Sequence, residues 1–431
     1  MSARPLRIGC GAGYSGDRIE PAVELVERGD LDVIVFECLA ERTIALAQQA
    51  KIRDPGAGFD PLLEERMEAI LPEARRRGVR IITNMGAANP PAAADCVRHV
   101  AARLGVSGFT IAVVTGDDVR ELVDTPDIVS ANAYLGAEPI AEALQTGADV
   151  VITGRVADPS MFLAPIAVHH GWRLDDWTLA GRGTLVGHLL ECAGQITGGY
   201  FADPGVKEVA GLARLGFPLA EVDADGTAII TKPAGSGGQV TAATCTEQLL
   251  YEIHDPSSYF TPDVVADFSR VRITDLGNDR VRVEAADGRP RPDTLKVSVG
   301  QFDGWIGEGQ ISYAGAGAAA RGRLAGEIVA ERLRLTAVVP LEMRTDLIGM
   351  DALHGPASPM AEPYEVRLRV AARTTSEADA RRVAREVEAL FTNGPAGGGG
   401  AFTSVRPVLA IRTAFVARDR ISYRVDYVRV S

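Results

Sequence analysis

Three residues in this sequence are candidates for acid–base chemistry. Glu37 follows the short apolar run 33–36, at the strand end where open α/β sheets place active-site side chains. His188 and Glu191 lie three residues apart in an apolar stretch, so a helix would place both on one face. Burial raises the pKa of a carboxyl group and a carboxylate can orient an imidazole, so these are the predicted catalytic residues. The alternatives are an ion pair between Glu37 and an arginine, and a structural His188.

Anion-binding groups are expected in several loops. Arg155 follows a glycine after an apolar run, and its guanidinium suits a carboxylate or a phosphate; a salt bridge to an acidic neighbour is the alternative. Two glycine-rich turns precede helices, where backbone N–H groups favour an anion, and a plain tight turn is the alternative for each. Amide side chains after the third strand can bind a carbonyl group. The predicted anion-binding residues are Gly11, Gly13, Ser15, Gly16, Asn84, Asn89, Arg155, Lys232, Ser236, Gly237 and Gly238.

Cofactor binding is left open by the sequence. Asp117, Asp118 and Asp158 are candidate ligands for a hard cation such as Mg²⁺, with helix capping as the alternative. Residues 11–16 match the G-x-G-x-x-G pattern of dinucleotide-binding turns, but Asp17 would place a carboxylate beside the pyrophosphate. The sequence identifies no definite cofactor: Mg²⁺ is a candidate, and CoA is a candidate as part of a substrate.

Alternating strands and helices must position these loops. Short apolar runs separated by amphipathic stretches predict βα units and a mostly parallel sheet, and the first glycine turn favours an open sheet over a barrel. The carboxyl ends of parallel strands meet at one edge, so the loops should line the same edge of the sheet; whether they form one pocket depends on the strand order. The predicted strands are 6–10, 33–36, 79–83, 110–114 and 149–153, and the predicted helices are 20–27, 39–51, 61–77, 92–104 and 139–145.

The pattern changes from about residue 184 to an α+β type. A linker at 354–359 precedes a β-α-β-β unit that resembles part of a ferredoxin-like fold. We therefore predict a layered α/β main domain over 1–355, with an α+β extension from about 184, and a small ferredoxin-like α+β domain over 361–431. Further elements are predicted as helices at 185–196, 241–253, 315–333 and 376–390, a hairpin at 271–283, and strands at 295–299, 364–370, 405–411 and 421–428.

Composition and charge limit the function classes. The 431 residues carry a formal net charge of −12, which argues against general nucleic-acid binding. The apolar runs are too short to span a bilayer, and we expect a cytoplasmic protein. Residues 361–431 contain twelve arginines against eight acidic residues, which suggests docking on an acidic pathway partner or on a second copy. The glycine-rich segment 395–400 is predicted to be a mobile loop that can act as a lid.

Five separated motifs together resemble the acyclic terpene utilisation AtuA-like family. The resemblance spans nearly the whole chain and implies a main domain followed by a ferredoxin-like module. It also implies a role in bacterial degradation of acyclic terpenes such as citronellol and geraniol as CoA thioesters, without defining the reaction. The motifs are Gly-Ala-Gly-Tyr-Ser-Gly-Asp at 11–17, Ala-Asn-Ala-Tyr-Leu-Gly-Ala at 131–137, Thr-Gly-Arg-Val-Ala-Asp at 153–158, Gly-Thr-Leu-Val-Gly-His-Leu-Leu-Glu-Cys at 183–192 and Thr-Gly-Gly at 197–199.

The expected function is that of a lyase or hydratase acting on a small carboxylate or an acyl-CoA. In this hypothesis Arg155 and the glycine turns hold the anion, and Glu37 or His188 moves the proton. One alternative is a non-catalytic subunit that docks through its C-terminal module. The other is an NAD-linked oxidoreductase, which depends on the first glycine turn alone.

Overall fold

The computed structural model describes residues 4–358 and 362–431, which divide into two compact units. One unit contains the residues up to Gly300 together with Ile411–Ser431, and the other is Gln301–Ala410. The helices are α1 (Glu20–Arg28), α2 (Glu41–Arg53), α3 (Leu63–Arg77), α4 (Pro90–Leu104), α5 (Glu138–Gln145), α6 (Ser160–His170), α7 (Trp177–Leu190), α8 (Ala242–Leu250), α9 (Ala318–Leu335), α10 (Glu377–Glu388) and α11 (Leu390–Asn393).

The strands number eighteen in the described residues. They are β1 (Leu6–Ala12), β2 (Val33–Phe36), β3 (Arg80–Thr83), β4 (Phe109–Thr115), β5 (Ile128–Ala133), β6 (Val150–Thr153), β7 (Leu219–Val222), β8 (Ala228–Thr231), β9 (Tyr259–Phe260), β10 (Val265–Asp267), β11 (Arg272–Gly277), β12 (Arg280–Glu284), β13 (Asp287–Arg289), β14 (Thr294–Ala314), β15 (Glu342–Ile348), β16 (Glu365–Thr374), β17 (Gly399–Ala417) and β18 (Arg424–Val430).

The larger unit is built on a ten-stranded sheet in the order β11-β12-β8-β7-β1-β2-β3-β6-β4-β18. The central strands β1, β2, β3, β6 and β4 are parallel, and their apolar residues are buried among helices. The predicted α/β class is confirmed. The expectation of a mostly parallel sheet is corrected to a mixed sheet, because antiparallel strands from later in the chain extend both edges.

Helix α7 differs most from its prediction. It begins at Trp177, eight residues before the predicted start, and ends at Leu190. Asp176 caps it by accepting a hydrogen bond from the Leu179 amide at 3.1 Å. Gly187 lies in close contact with Pro159, where a Cβ would be 2.6 Å from the proline Cα. Glycine usually lowers helix propensity, but Gly187 lets α7 pack closely against the start of α6.

The smaller unit contains β14, α9, β15, β16, α10, α11 and β17 in chain order, which is β-α-β-β-α-β apart from the short helix α11. Its sheet order is β15-β16-β14-β17, and β16 is antiparallel to both β14 and β15. Apolar residues of the strands and of α9 and α10 form a separate core. The loop 395–400 belongs to this unit, with β17 beginning at Gly399. Of the predicted linker, residues 354–358 are described and residue 359 is outside the described part.

The unit boundaries differ from the predicted domains 1–355 and 361–431. Strand β14 enters the smaller unit at residue 301, and β18 returns to pair with β4 at the edge of the large sheet. Five of the twelve C-terminal arginines therefore belong to the larger unit. The unit 301–410 holds 12 arginines and 13 acidic residues, so the predicted basic module is not a unit of the structure.

Within the described residues, every helix is too short or too polar to cross a lipid bilayer.

The return of the chain terminus to the large sheet predicts a difference between two alanine variants. Gly116 has φ +111°, and a Cβ there would overlap the carbonyl oxygen of Ser422, whereas Gly105 has φ +67° and open space around it. We expect Gly105→Ala to cost about 1 kcal/mol from backbone strain and Gly116→Ala to cost about 1–3 kcal/mol more from overlap. Urea denaturation of both variants measures this, and equal losses would contradict the docking of residues 421–430.

Candidate functional site

A cavity of about 1230 Å³ lies in the larger unit at the carboxyl edge of the parallel strands. The loops that follow β1, β2 and β6 form part of its wall, and α7 supplies His188 and Glu191. The cavity thus brings together Gly13, Glu37, Arg155, Asp158, His188 and Glu191 from the predicted site. Its remaining lining includes many apolar and aromatic side chains, among them Tyr14, Leu39, Tyr200, Leu215, Phe217, Tyr259, Phe260 and Phe415.

Glu37 is a buried carboxyl group in the cavity wall. Its Oε1 atom accepts hydrogen bonds of 2.9 Å from the Leu39 amide and from the side-chain amide of Asn84. Burial and the charge of Asp158 nevertheless raise the pKa of Glu37 to about 8, against the opposing influence of Arg155 and these hydrogen bonds. A carboxyl group with this pKa can donate or accept a proton near neutral pH.

Arg155 is held by protein oxygen atoms rather than left open for a ligand. Its side chain is 1% exposed, Nε donates to the Val156 carbonyl oxygen at 2.9 Å, and Nη1 donates to the carbonyl oxygen of Leu39. Nη2 forms an ion pair with Asp158, and the guanidinium lies 4.4 Å from the centre of the Tyr134 ring. The salt-bridge alternative describes Arg155 better than the predicted anion clamp.

His188 and Glu191 form a buried pair with an unexpected proton distribution. His188 Nε2 lies 3.2 Å from the carbonyl oxygen of Leu249, which can only accept, so Nε2 is assigned the proton. Burial lowers the pKa of His188 to about 4, so its Nδ1, 3.0 Å from Glu191 Oε1, acts as an acceptor near neutral pH. Burial and the charges of Asp158 and Glu252 raise the pKa of Glu191 well above its usual range. The raised pKa favours a protonated Glu191 whose O–H donates a hydrogen bond to the imidazole, the reverse of the predicted arrangement.

A second polar cluster in the same wall joins Tyr134, Glu41 and Lys296. Glu41 Oε1 accepts from the Tyr134 hydroxyl at 2.6 Å and from Lys296 Nζ at 3.1 Å. Burial alone would raise the pKa of Glu41, but these donors lower it to about 2, so Glu41 is ionised. The prediction did not include Tyr134 or Lys296, because the signal was weak: strand β5, which precedes Tyr134, has little apolar periodicity.

The first glycine turn packs closely against protein atoms. A Cβ at Gly11 would be 2.5 Å from the Phe36 ring, and one at Gly16 would be 2.8 Å from the Tyr14 ring. The Gly13 amide donates to the Asp17 carboxylate at 2.9 Å, and the Ser15 carbonyl oxygen accepts from Arg66 at 2.9 Å. An acidic side chain of the protein itself therefore occupies the amide that a bound anion would use.

The second glycine turn lies outside the cavity lining. Lys232 Nζ donates to the Ser236 carbonyl oxygen at 2.9 Å and pairs with Asp279 at 3.0 Å. The Ser236 hydroxyl donates to Pro233, and the amides of Gly237 and Gly238 donate to backbone carbonyl oxygens. The plain-turn alternative describes this segment.

The two predicted asparagines have structural partners. Asn84 bonds Glu37 and accepts from the Cys38 amide at 2.8 Å, so it positions a carboxyl group of the site. Asn89 donates to the carbonyl oxygens of Pro55 and Ala57 at 2.9 and 2.7 Å, away from the cavity.

The three aspartates predicted to bind a metal do not form a common site. Asp117 is buried and accepts from the Arg155 amide and from Asn132 at 2.9 and 2.8 Å, which holds the turn after β6. Asp118 forms a surface ion pair with Arg120, and Asp158 pairs with Arg155. Across residues 4–358 and 362–431, no group of three His, Cys, Asp or Glu side chains is arranged to hold a metal ion.

The fold and the cavity define an α/β protein whose candidate site combines buried carboxyl groups with an apolar wall. A family model described as "Acyclic terpene utilisation family protein AtuA" matches residues 6–427. The chain therefore belongs to the AtuA family of acyclic terpene utilisation proteins, and the resemblance seen in its motifs is confirmed. No curated protein matches the chain.

The raised pKa of Glu37 predicts a pH-dependent stability. Above about pH 4.5 the unfolded chain releases this proton, whereas the folded protein retains it to about pH 8. The contribution of Glu37 to the free energy of unfolding therefore falls as the pH rises through this window, by at most about 1.4 kcal/mol per pH unit. Urea denaturation between pH 5 and 8 should show Glu37→Gln gaining stability relative to wild type with rising pH. The exposed Glu65→Gln serves as the control, and a parallel profile for both variants would contradict the raised pKa.

The protonated state of Glu191 predicts an infrared signature. At neutral pH the wild type should show a carboxylic-acid C=O band that Glu191→Gln removes, because burial keeps the proton on this side chain. Glu65→Gln should leave the band unchanged. Loss of a carboxylate band instead would show that Glu191 is ionised.

Proposed function

We propose that this protein is a lyase or hydratase that adds water to, or removes it from, a small unsaturated carboxylate or acyl-CoA. One observation carries the proposal: a single cavity holds two carboxyl groups whose pKa values are raised by burial, Glu191 and Glu37, the latter to about 8. Carboxyl groups whose pKa values lie near or above neutral pH are suited to general acid–base catalysis.

The hydration direction uses both carboxyl groups. Glu37, as a carboxylate, takes a proton from a water molecule whose oxygen bonds to the β carbon of a conjugated double bond. The π electrons move toward the carbonyl oxygen, and Glu191 releases its hydrogen bond to His188 Nδ1 and gives that proton to the α carbon. Dehydration is the reverse sequence, and a proton exchanged with solvent restores the two groups. His188 Nδ1 positions the Glu191 carboxyl group, and Asn84 positions Glu37.

The apolar wall suits a substrate that carries a hydrocarbon chain. The family description supports a substrate from the degradation of acyclic terpenes. Desolvation by the aromatic and aliphatic lining would strengthen the interactions of the carboxyl groups with the reacting atoms.

The alternatives have less support. The Gly13 amide donates to Asp17 and the turn glycines pack against side chains, which weighs against a dinucleotide in the first glycine turn. Docking on a pathway partner or on a second copy was suggested by an excess of positive charge, and residues 301–410 carry no such excess.

We further propose that residues 301–410 form a ferredoxin-like domain, supported by the β-α-β-β-α-β order and by a sheet in which the first and third strands are central.

Turnover of a branched unsaturated thioester tests the proposal. With 3-methylbut-2-enoyl-CoA and geranoyl-CoA as probes, the wild type should form a product heavier by one water, detected by mass spectrometry. Glu191→Gln should slow this at least about 100-fold, because the amide cannot deliver the proton, and Glu37→Gln should act similarly.

Two comparisons complete this experiment. Glu65→Gln should retain wild-type turnover. Absence of a water adduct from both thioesters and from their free acids, with folded wild-type protein, would rule out the hydratase proposal for this substrate class.

A further inference from the structure

The four lysines of the chain occupy very different environments. Lys51 donates to the Ala88 carbonyl oxygen, Lys207 pairs with Glu247, and Lys232 is buried against Asp279. Lys296 alone among the four lines the cavity. The ammonium group of Lys232 donates to the Ser236 carbonyl oxygen and pairs with Asp279, outside the cavity lining.

Strand pairing holds Lys296 beside the reacting region. Strand β14 pairs with β5, and the Tyr134 amide donates to the Lys296 carbonyl oxygen at 2.9 Å. The ammonium nitrogen lies 4.7 Å from the centre of the Tyr134 ring, a cation–π contact that fixes its position. The side chain is 43% exposed, so its ammonium group is accessible to a ligand in the cavity.

Lys296 is less constrained than Arg155, whose side chain is 1% exposed and has three of its five N–H groups bonded to protein oxygen atoms. Each guanidinium nitrogen of Arg155 already donates to a protein oxygen atom. The ammonium group of Lys296 has three donors, and its one hydrogen bond to a side chain is the 3.1 Å contact with Glu41. If Lys296 turned to a ligand, Glu41 would keep the 2.6 Å hydrogen bond from Tyr134, so its carboxylate would remain stabilised.

We infer that Lys296 binds the anionic oxygen group of the ligand in this cavity. The ammonium group donates to a carboxylate or phosphate oxygen while the Tyr134 ring keeps the cation in place. Arg155 then has a positioning role, holding Asp158 and the loop after β2. The inference rests on the proposed function only in taking the ligand to be an anion, and it adds a binding residue that the motifs did not indicate.

Binding measured without turnover tests this role. The probes are 3-methylbut-2-enoate, its neutral amide 3-methylbut-2-enamide, and coenzyme A, each titrated by calorimetry into wild-type protein, Lys296→Met, Lys296→Arg and Lys207→Met. Lys296→Met should weaken binding of the carboxylate about tenfold or more, the size expected for one charge-assisted hydrogen bond. Lys296→Arg should recover most of the affinity, and Lys207→Met should match the wild type.

The neutral amide distinguishes loss of the charge interaction from a change in the shape of the cavity. Its affinity should be equal in Lys296→Met and wild type if only the charge interaction is lost. A loss confined to coenzyme A would assign Lys296 to the phosphates of a thioester instead of a free carboxylate. Unchanged affinity of Lys296→Met for both anions, an equal loss for the amide, or failure of the wild type to bind either anion at millimolar concentration would overturn the inference. Since no turnover is measured, the result stands apart from the Glu191→Gln assay.

Discussion

Burial of ionisable side chains at the carboxyl edge of the parallel strands is the constraint on which the site depends. A buried carboxylate loses its hydration, and it must gain a cation or hydrogen bonds, or keep its proton. Both solutions occur in one cavity. Glu41 is ionised and bonded to Tyr134 and Lys296, whereas the raised pKa of Glu191 favours the protonated carboxyl group, which donates a hydrogen bond to His188. The cavity therefore contains anionic and neutral carboxyl groups side by side.

The same requirement organises the surrounding structure. Asp117, predicted as a metal ligand, accepts from the Arg155 amide and thereby fixes the turn after β6. That turn presents Arg155, whose guanidinium binds Asp158 and the carbonyl oxygen of Leu39 in the loop after β2. Two loops from different strands are joined through one buried arginine. Removing such a charge would leave Asp158 without its partner, which is a larger cost than the loss of a surface ion pair.

Aromatic packing around His188 determines how protons are shared between His188 and Glu191. Phe268 stacks on the His188 ring at 5.8 Å, and Tyr259 lies at 5.4 Å. These rings exclude water from the imidazole, which explains why its pKa falls to about 4 despite a neighbouring acidic residue. A neutral imidazole can accept a hydrogen bond from Glu191 at Nδ1, so the aromatic packing favours Glu191 as the group of the pair that holds the proton.

The sequence by itself determined the α/β class, the strands and helices of the first 153 residues except β5 to within a few residues, the family, and the position of Glu37 and Arg155 at the ends of parallel strands. These follow from local periodicity and from the rule that parallel strands share an edge. Only the tertiary structure decided the mixed sheet order, the return of β18 to β4, the proton on Glu191 and the place of Lys296 beside Tyr134. Those features depend on strand pairing and on burial between residues far apart in the chain, such as Leu39 and Arg155, which are 116 positions apart. Local residue patterns carry no information about such pairing.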